Sequence, residues 1–205
     1  RRLDHLRAGR DGGRCRRTHA VLDEQVLDLI GAGVSDFDRA APHGTGNIKA
    51  GLNYAMSLHP YIEAHANGFD ENMYLDAATR TYVEETGGAN FLFVTKDNKL
   101  VTPKSDSILP SITRRSLVAL AEKMGYTVEH RPVKFTELKD FAEAGLCGTA
   151  AVICPVGKVV SHDETIEFPS GMKEMGPVLT KLYKELRGIQ MGTVEAPKGW
   201  IREIK

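Results

Sequence analysis

Residues 90–102 read NFLFVTKDNKLVT, and this stretch sets the architecture. NFLFVTK (90–96) and KLVT (99–102) are short apolar runs on either side of Asp97-Asn98, a two-residue turn pair, so a β-hairpin is expected here. Upstream, MYLDA (73–77) and TYVEE (81–85) read as two further strands. Downstream, SITRRSLVALAEKMG (111–125) has Ser111 or Thr113 as cap and Leu117, Leu120, Ala121 and Met124 on one face, which predicts a helix. YTVEHRPV (126–133) is strand-like and FTELKDFAEAG (135–145) holds a short helix. CGTAAVICPVG (147–157) reads as a buried strand entered through a tight turn. PVLTKLYKELRGIQ (177–190) is an amphipathic helix beginning at a permitted Pro. GLNYAMSLHPYIEAHANG (51–68) is a further helix, with Pro60 inside it and Asn67-Gly68 as its stop. Hairpins mixed with helices, and no internal repeat, predict an α+β fold with a mixed sheet rather than alternating βαβ units.

The rest of the sequence bounds the function. The chain has 205 residues and is 41% hydrophobic, enough to bury a core. Its 27 Lys+Arg balance 27 Asp+Glu, which argues against a nucleic-acid or membrane-surface binder. No apolar run approaches the roughly 18 residues of a membrane span. Cys15, Cys147 and Cys154 match neither a disulfide scaffold nor a zinc ribbon, and the seven His are scattered without an HExxH pair. A cytoplasmic globular protein without a bound metal is expected. The neutral total hides a basic start: residues 1–17, RRLDHLRAGRDGGRCRR, hold seven Arg against two Asp. No apolar stretch follows as a secretory signal requires. AVLDEQVLDLI (20–30) has short amphipathic-helix spacing, ended by Gly31 and Gly33. Residues 1–34 therefore read as an atypical segment without its own core, ahead of a folded domain over 35–205.

Four places carry chemistry. Lys49 lies in GTGNIKAGLNYA, with Gly44, Gly46 and Gly51 around it, so a flexible turn could deliver its amine into a pocket. A desolvated lysine is a nucleophile and forms Schiff bases with aldehydes, although a lysine beside glycine is ordinarily a surface residue. Glu84 and Glu85 precede TGGAN where a strand enters a turn. They are either a solvated pair or an acid aimed into a site, such as the partner of a pyridinium nitrogen. SDSILPSITRRS (105–116) enters a helix at Ser111–Thr113, which offers either simple capping or backbone N–H groups for a phosphate. In CGTA (147–150), Gly148 and Thr149 form either an anion nest or a close packing of small residues.

In this order the four motifs resemble the fold type IV pyridoxal-phosphate enzymes, and most closely the branched-chain amino-acid aminotransferases. The matching stretches are NIKAGLNYA (47–55), YVEETGGANFLFV (82–94), TPKSDSILPSITRRS (102–116) and EAGLCGTAAVICPVG (143–157). The tail is similar too, in GPVLTKLYKELRGIQMG (176–192) and APKGW (196–200). The resemblance implies the mixed-sheet, pseudo-barrel cofactor-binding domain of these enzymes, with flanking helices and pyridoxal 5'-phosphate as cofactor. It implies Lys49 as Schiff-base lysine and proton carrier, Tyr54 on the cofactor's phenolic oxygen, Glu85 on the ring nitrogen and Leu109 against the ring. Ile112, Thr113 and Thr149 would hold the phosphate, and the Gly148–Ala150 turn, with Tyr54, would face the substrate. The implied reaction transfers the amino group of Leu, Ile or Val to 2-oxoglutarate. The implied partners are amino acids, 2-oxo acids and a second copy of the chain.

Family members also carry a smaller N-terminal domain that supplies a phosphate-binding arginine and part of the substrate pocket. Residues 1–34 do not resemble it, no arginine in 1–17 matches that arginine, and Arg114 and Arg115 are expected to serve structure. The expectation is therefore a cofactor-binding domain whose turnover on its own is impaired. D-amino-acid aminotransferases and aminodeoxychorismate lyases share the fold and stand as alternatives, as does a non-catalytic remnant. EAGLCGTAAVICPVG and the tail favour the branched-chain group.

Overall fold

The computed structural model describes residues 30–162, 164–169 and 172–202. The helix expected over 20–30 lies outside these residues except for Ile30, which begins a strand. Among the described residues, eight strands form one mixed sheet: β1 (Ile30–Val34), β2 (Glu71–Met73), β3 (Asn90–Thr95), β4 (Leu100–Pro103), β5 (Val128–Arg131), β6 (Phe141–Gly148), β7 (Val152–Val160) and β8 (Thr165–Glu167). Their order is β2-β1-β7-β6-β3-β4-β5, with β8 also paired to β7. β1 runs parallel to both β2 and β7, and β4 parallel to β5, whereas β7, β6, β3 and β4 are antiparallel neighbours. β1 lies inside the sheet, so residues 30–34 belong with it although the sequence sets them apart.

The apolar run at 90–95 is buried on both faces, as a period-2 strand between two layers must be. Phe91 and Phe93 join one core with Phe141, Val156, Val159 and Phe168. Leu92 and Val94 join the other, beneath α2 (Ile112–Lys123) and α3 (Pro177–Met191), with Leu117, Leu120, Leu179 and Leu182. Ser111 caps α2 by accepting from Arg114 N, and α3 starts at its Pro and stops at Gly192, whose φ of 73° suits glycine. α1 (Gly51–Ala66) has an inverted pattern: it buries Asn53, Ser57, Pro60 and Ala64 and exposes Leu52, Met56, Leu58 and Ile62. No helix among the described residues is long and apolar enough to cross a membrane.

Several local expectations change. The β3–β4 turn holds three residues rather than two, because Thr95 N donates to Lys99 O and Asn98 takes φ 62°. The short helix expected within 135–145 is a 3-10 turn, Phe135–Asp140, and FAEAG starts β6. Glu143 explains the switch: from β6 its carboxylate accepts Val178 N and Leu179 N, both at 2.9 Å, and caps α3. In CGTAAVICPVG the tight entry turn and the buried strand are both present: Cys147 and Gly148 end β6, and β7 begins after the turn, at Val152. MYLDA and TYVEE contribute the end of β2 and isolated bridges, Leu75 to Val83, Tyr82 to Lys134 and Glu85 to Asn90.

Candidate functional site

The turn that carries Lys49 is pinned, not loose. Asn53, buried at the start of α1, donates through Nδ2 to Thr45 O (2.8 Å) and Ile48 O (3.0 Å), and accepts Thr45 Oγ1 at 3.1 Å. None of Gly44, Gly46 or Gly51 has a positive φ. Gly46 serves close approach instead, because a Cβ there would overlap Ser107 O. Lys49 itself is exposed, so the burial argued from its glycine neighbours is absent among the described residues.

Glu84 and Glu85 are no solvated pair: they are 4% and 3% exposed. They grip opposite ends of one loop. Glu84 Oε1 accepts Ser105 Oγ at 2.7 Å, while Glu85 Oε1 accepts Leu109 N at 2.9 Å. Asn90 Nδ2 donates to Glu85 Oε2 and also to Leu109 O, so the two flanks of the TGGA turn are tied to the residue expected beneath the ring. Burial pushes the Glu85 carboxyl up to about 7, against the pull of the Arg39 charge and the Leu109 N–H. Burial raises the Glu84 carboxyl as well, opposed by its hydrogen bond from Ser105.

Arg39 joins these pieces. Its Nη2 stands 2.7 Å from Glu85 Oε1, donates to Gly46 O at 2.9 Å and also donates to Ser107 O. The Lys49 turn, the acidic strand and the loop into α2 therefore meet on one guanidinium. Sequence reasoning missed this residue, whose only local signal is an arginine in the small-residue run DRAAPHGTG, ten residues before Lys49.

Two loops lie alongside. Gly148 sits near Gly88 and Ala89, which places the β6–β7 turn next to the TGGA turn, and Thr149 and Ala150 are exposed on it. That turn closes at Val152 with φ 62°, a conformation that strains a β-branched residue. Tyr54 is 40% exposed and lines an open cleft of about 230 Å³ with Ser57, Tyr61, Tyr74 and Gly87. Among the described residues, no hydrogen bond ties the side chains of Tyr54 or Thr149 to the Glu85 cluster. Ser111 Oγ takes Arg114 N, which leaves the N–H groups of Ile112 and Thr113 as the open donors at the start of α2.

The donor set fits pyridoxal 5'-phosphate. A carboxylate has about four lone-pair positions; Glu85 accepts hydrogen bonds from Leu109 N and Asn90 Nδ2 and pairs by charge with Arg39, which leaves acceptor capacity for a cationic ring N–H. A helix start with open N–H groups suits the phosphate. Among the described residues, no three His, Cys, Asp or Glu side chains group as a metal site.

The family profile described as amino-transferase class IV matches residues 17–159. A branched-chain-amino-acid aminotransferase of Haemophilus influenzae is 49% identical over 177 residues, covering 83% of this chain and 51% of that protein. The chain spans about half the length of the curated relatives it matches. The solved branched-chain amino acid aminotransferase from Escherichia coli superposes with a TM-score of 0.74 at 34% identity, covering 84% of this chain and 56% of that one. The branched-chain amino acid aminotransferase from Thermobaculum terrenum, solved in its PLP-form, gives 0.71 at 35% identity, covering 80% of this chain and 52% of that one.

Proposed function

We propose that this chain, which belongs to the amino-transferase class IV family, is the cofactor-binding part of a branched-chain amino-acid aminotransferase. The reaction moves the amino group of leucine, isoleucine or valine to 2-oxoglutarate, leaving a branched 2-oxo acid and glutamate. When bound, pyridoxal 5'-phosphate supplies the electron sink for charge at the substrate Cα. Lys49 would hold the cofactor through its amine and, once a substrate amine has displaced it, would be free to carry the proton to and from that Cα. Glu85 would accept the ring N–H. Leu109 would back the ring, and Tyr54 would donate its hydroxyl to the phenolic oxygen. The N–H groups of Ile112 and Thr113 and the hydroxyl of Thr149 would bind the phosphate. The Gly148–Ala150 turn and Tyr54 would meet the substrate.

One observation carries the reading: a buried carboxylate is bonded to the backbone just ahead of an open helix start, and one arginine joins it to the lysine turn. The protein is read as a cytoplasmic homodimer. The exposed Leu52, Met56, Leu58 and Ile62 of α1 support a surface covered in an assembly. The exposure of Lys49 and Tyr54 favours a second reading, in which this chain binds cofactor without turnover.

The test is chemical. The chain is mixed with pyridoxal 5'-phosphate, reduced with borohydride and mapped by peptide mass. The tag belongs on the peptide containing Lys49 and disappears in Lys49→Ala; a tag elsewhere, or none, overturns the assignment. A panel of L- and D-amino acids then separates the readings. L-leucine, L-isoleucine and L-valine giving 2-oxo acids support the transaminase, D-alanine alone points to the D-specific relatives, and tagging without any 2-oxo acid establishes the non-catalytic reading.

A further inference from the structure

Arg39 has no counterpart among the residues that the motifs single out, yet it touches the Lys49 turn, the acidic strand and the 105–109 loop. Its guanidinium is a permanent cation, buried with Glu85. Its Nε has no acceptor among the described residues, so compensation for the charge rests on Glu85 and on the carbonyls of Gly46 and Ser107. Breaking such a pair leaves an uncompensated charge and is costly, while the intact pair adds little net stability. An arrangement of that kind specifies position.

We propose that Arg39 is the positioning residue of this site: its guanidinium fixes the Glu85 carboxylate, the Lys49 turn and the 105–109 loop relative to one another, in the arrangement that receives a cationic ring nitrogen. The last clause rests on the cofactor reading above; the three-way bond is a property of the ligand-free chain. Four charged or titratable groups face Glu85: Arg39 from the segment after β1, Glu84 beside it, Arg114 from α2 and Cys147 from β6. The two arginines favour the ionised carboxyl and Glu84 opposes it. Among these, Arg39 is the one in contact with the carboxylate.

The experiment uses the full chain labelled with ¹³C in its glutamate carboxyls, with Glu85→Gln to assign the Glu85 signal. Arg39→Gln should move the Glu85 titration upward by about one pH unit or more, because the nearest cation is gone. Arg39→Lys keeps the charge and should move it less. Titration with pyridoxal 5'-phosphate, followed by absorbance, should show affinity falling about tenfold in Arg39→Gln. The same change made on the Glu85→Gln background should cost less than about twofold, since the two residues act as one unit. An unshifted Glu85 titration in Arg39→Gln, or an equal loss of affinity on both backgrounds, overturns the proposal. Where Arg39→Gln does not fold, Arg39→Lys decides: weakened cofactor binding with a near-native Glu85 titration supports positioning by the planar fork, and wild-type affinity refutes it. A wild-type chain that binds no pyridoxal 5'-phosphate defeats the cofactor reading alone, and the Glu85 titration still tests the bond.

Discussion

Two glycines flank Lys49, and the structure gives them opposite behaviour. At Gly46 an added methyl overlaps Ser107 O, stands 2.8 Å from Ser107 Cα and 2.9 Å from Ala40 Cβ. Ordinary carbon contacts begin near 3.5 Å, and the obstruction at Ser107 is backbone, which no rotamer can relieve. Gly46→Ala must push the Lys49 turn away from the 105–109 loop. Overpacking of this kind costs about 1–3 kcal/mol. The displacement also stretches a bond from Arg39 to Gly46 O or Ser107 O, and bonds from a charged donor are worth about 1.5–3 kcal/mol. A loss of about 2.5–6 kcal/mol is expected. At Gly51 a Cβ meets nothing within 4 Å, and the residue opens α1 with ordinary φ. Gly51→Ala should therefore gain about 0.5–1 kcal/mol by restricting the unfolded chain. Urea denaturation followed by circular dichroism measures both, with equal slopes required for the comparison. Tagging of Lys49 by pyridoxal 5'-phosphate followed by borohydride should fall in Gly46→Ala and persist in Gly51→Ala. If Gly46→Ala matches wild type within about 0.5 kcal/mol, the usual range for a surface substitution, the close approach is wrong and the account of the turn falls with it.

Two further outcomes follow from buried carboxyls. Glu143→Ala strips Val178 N and Leu179 N of their acceptor at the head of α3; each unsatisfied buried donor costs about 1–3 kcal/mol, so a loss of about 2–6 kcal/mol is expected in urea, with Glu143→Gln intermediate. Glu85 titrates near 7 when folded, against an ordinary 4.5. The folded state therefore holds this proton more tightly than the unfolded state. Its contribution is fully present below about pH 4 and is lost as pH rises through 7, by at most about 3 kcal/mol. Denaturation midpoints at pH 5 and pH 8 should converge in Glu85→Gln relative to wild type; Glu71, Glu84 and Glu143 are raised too and keep part of the slope. An unchanged slope in Glu85→Gln would place the titration elsewhere.

Where local pattern and tertiary use agreed, the sequence was legible. β3 and β4 are apolar runs flanking a turn, α2 carries a capping serine and an apolar face, and α3 an apolar face and a terminating glycine. FAEAG failed because Ala and Glu favour a helix in isolation, whereas here Glu143 serves another element 35 residues away. The site divides the same way. The bonds of Glu85 to Leu109 and Asn90 fit its place five residues before Asn90, and the open start of α2 follows from its capping serine. Arg39 was invisible because its partners come from residues 46, 85 and 107, and no local spacing encodes a charge balanced across three segments.

α1 shows why the lysine must be placed this way. A helix beside an active site is ordinarily held by an apolar stripe, but the inward residues of α1 are Asn53, Ser57, Pro60 and Ala64. Small and polar groups bury little area, so hydrophobic burial contributes weakly to fixing this helix on the sheet. Its register comes instead from directional contacts in the turn that leads into it, the Asn53 amide on Thr45 O and Ile48 O and the Arg39 bonds to Gly46 O and Ser107 O, with Ser57 packed close to Gly87. Hydrogen bonds fix distance and angle where apolar packing fixes only proximity. The side facing the candidate site thus trades stabilisation for geometry, and the large apolar side chains of α1 are left on the outward face, available to another surface.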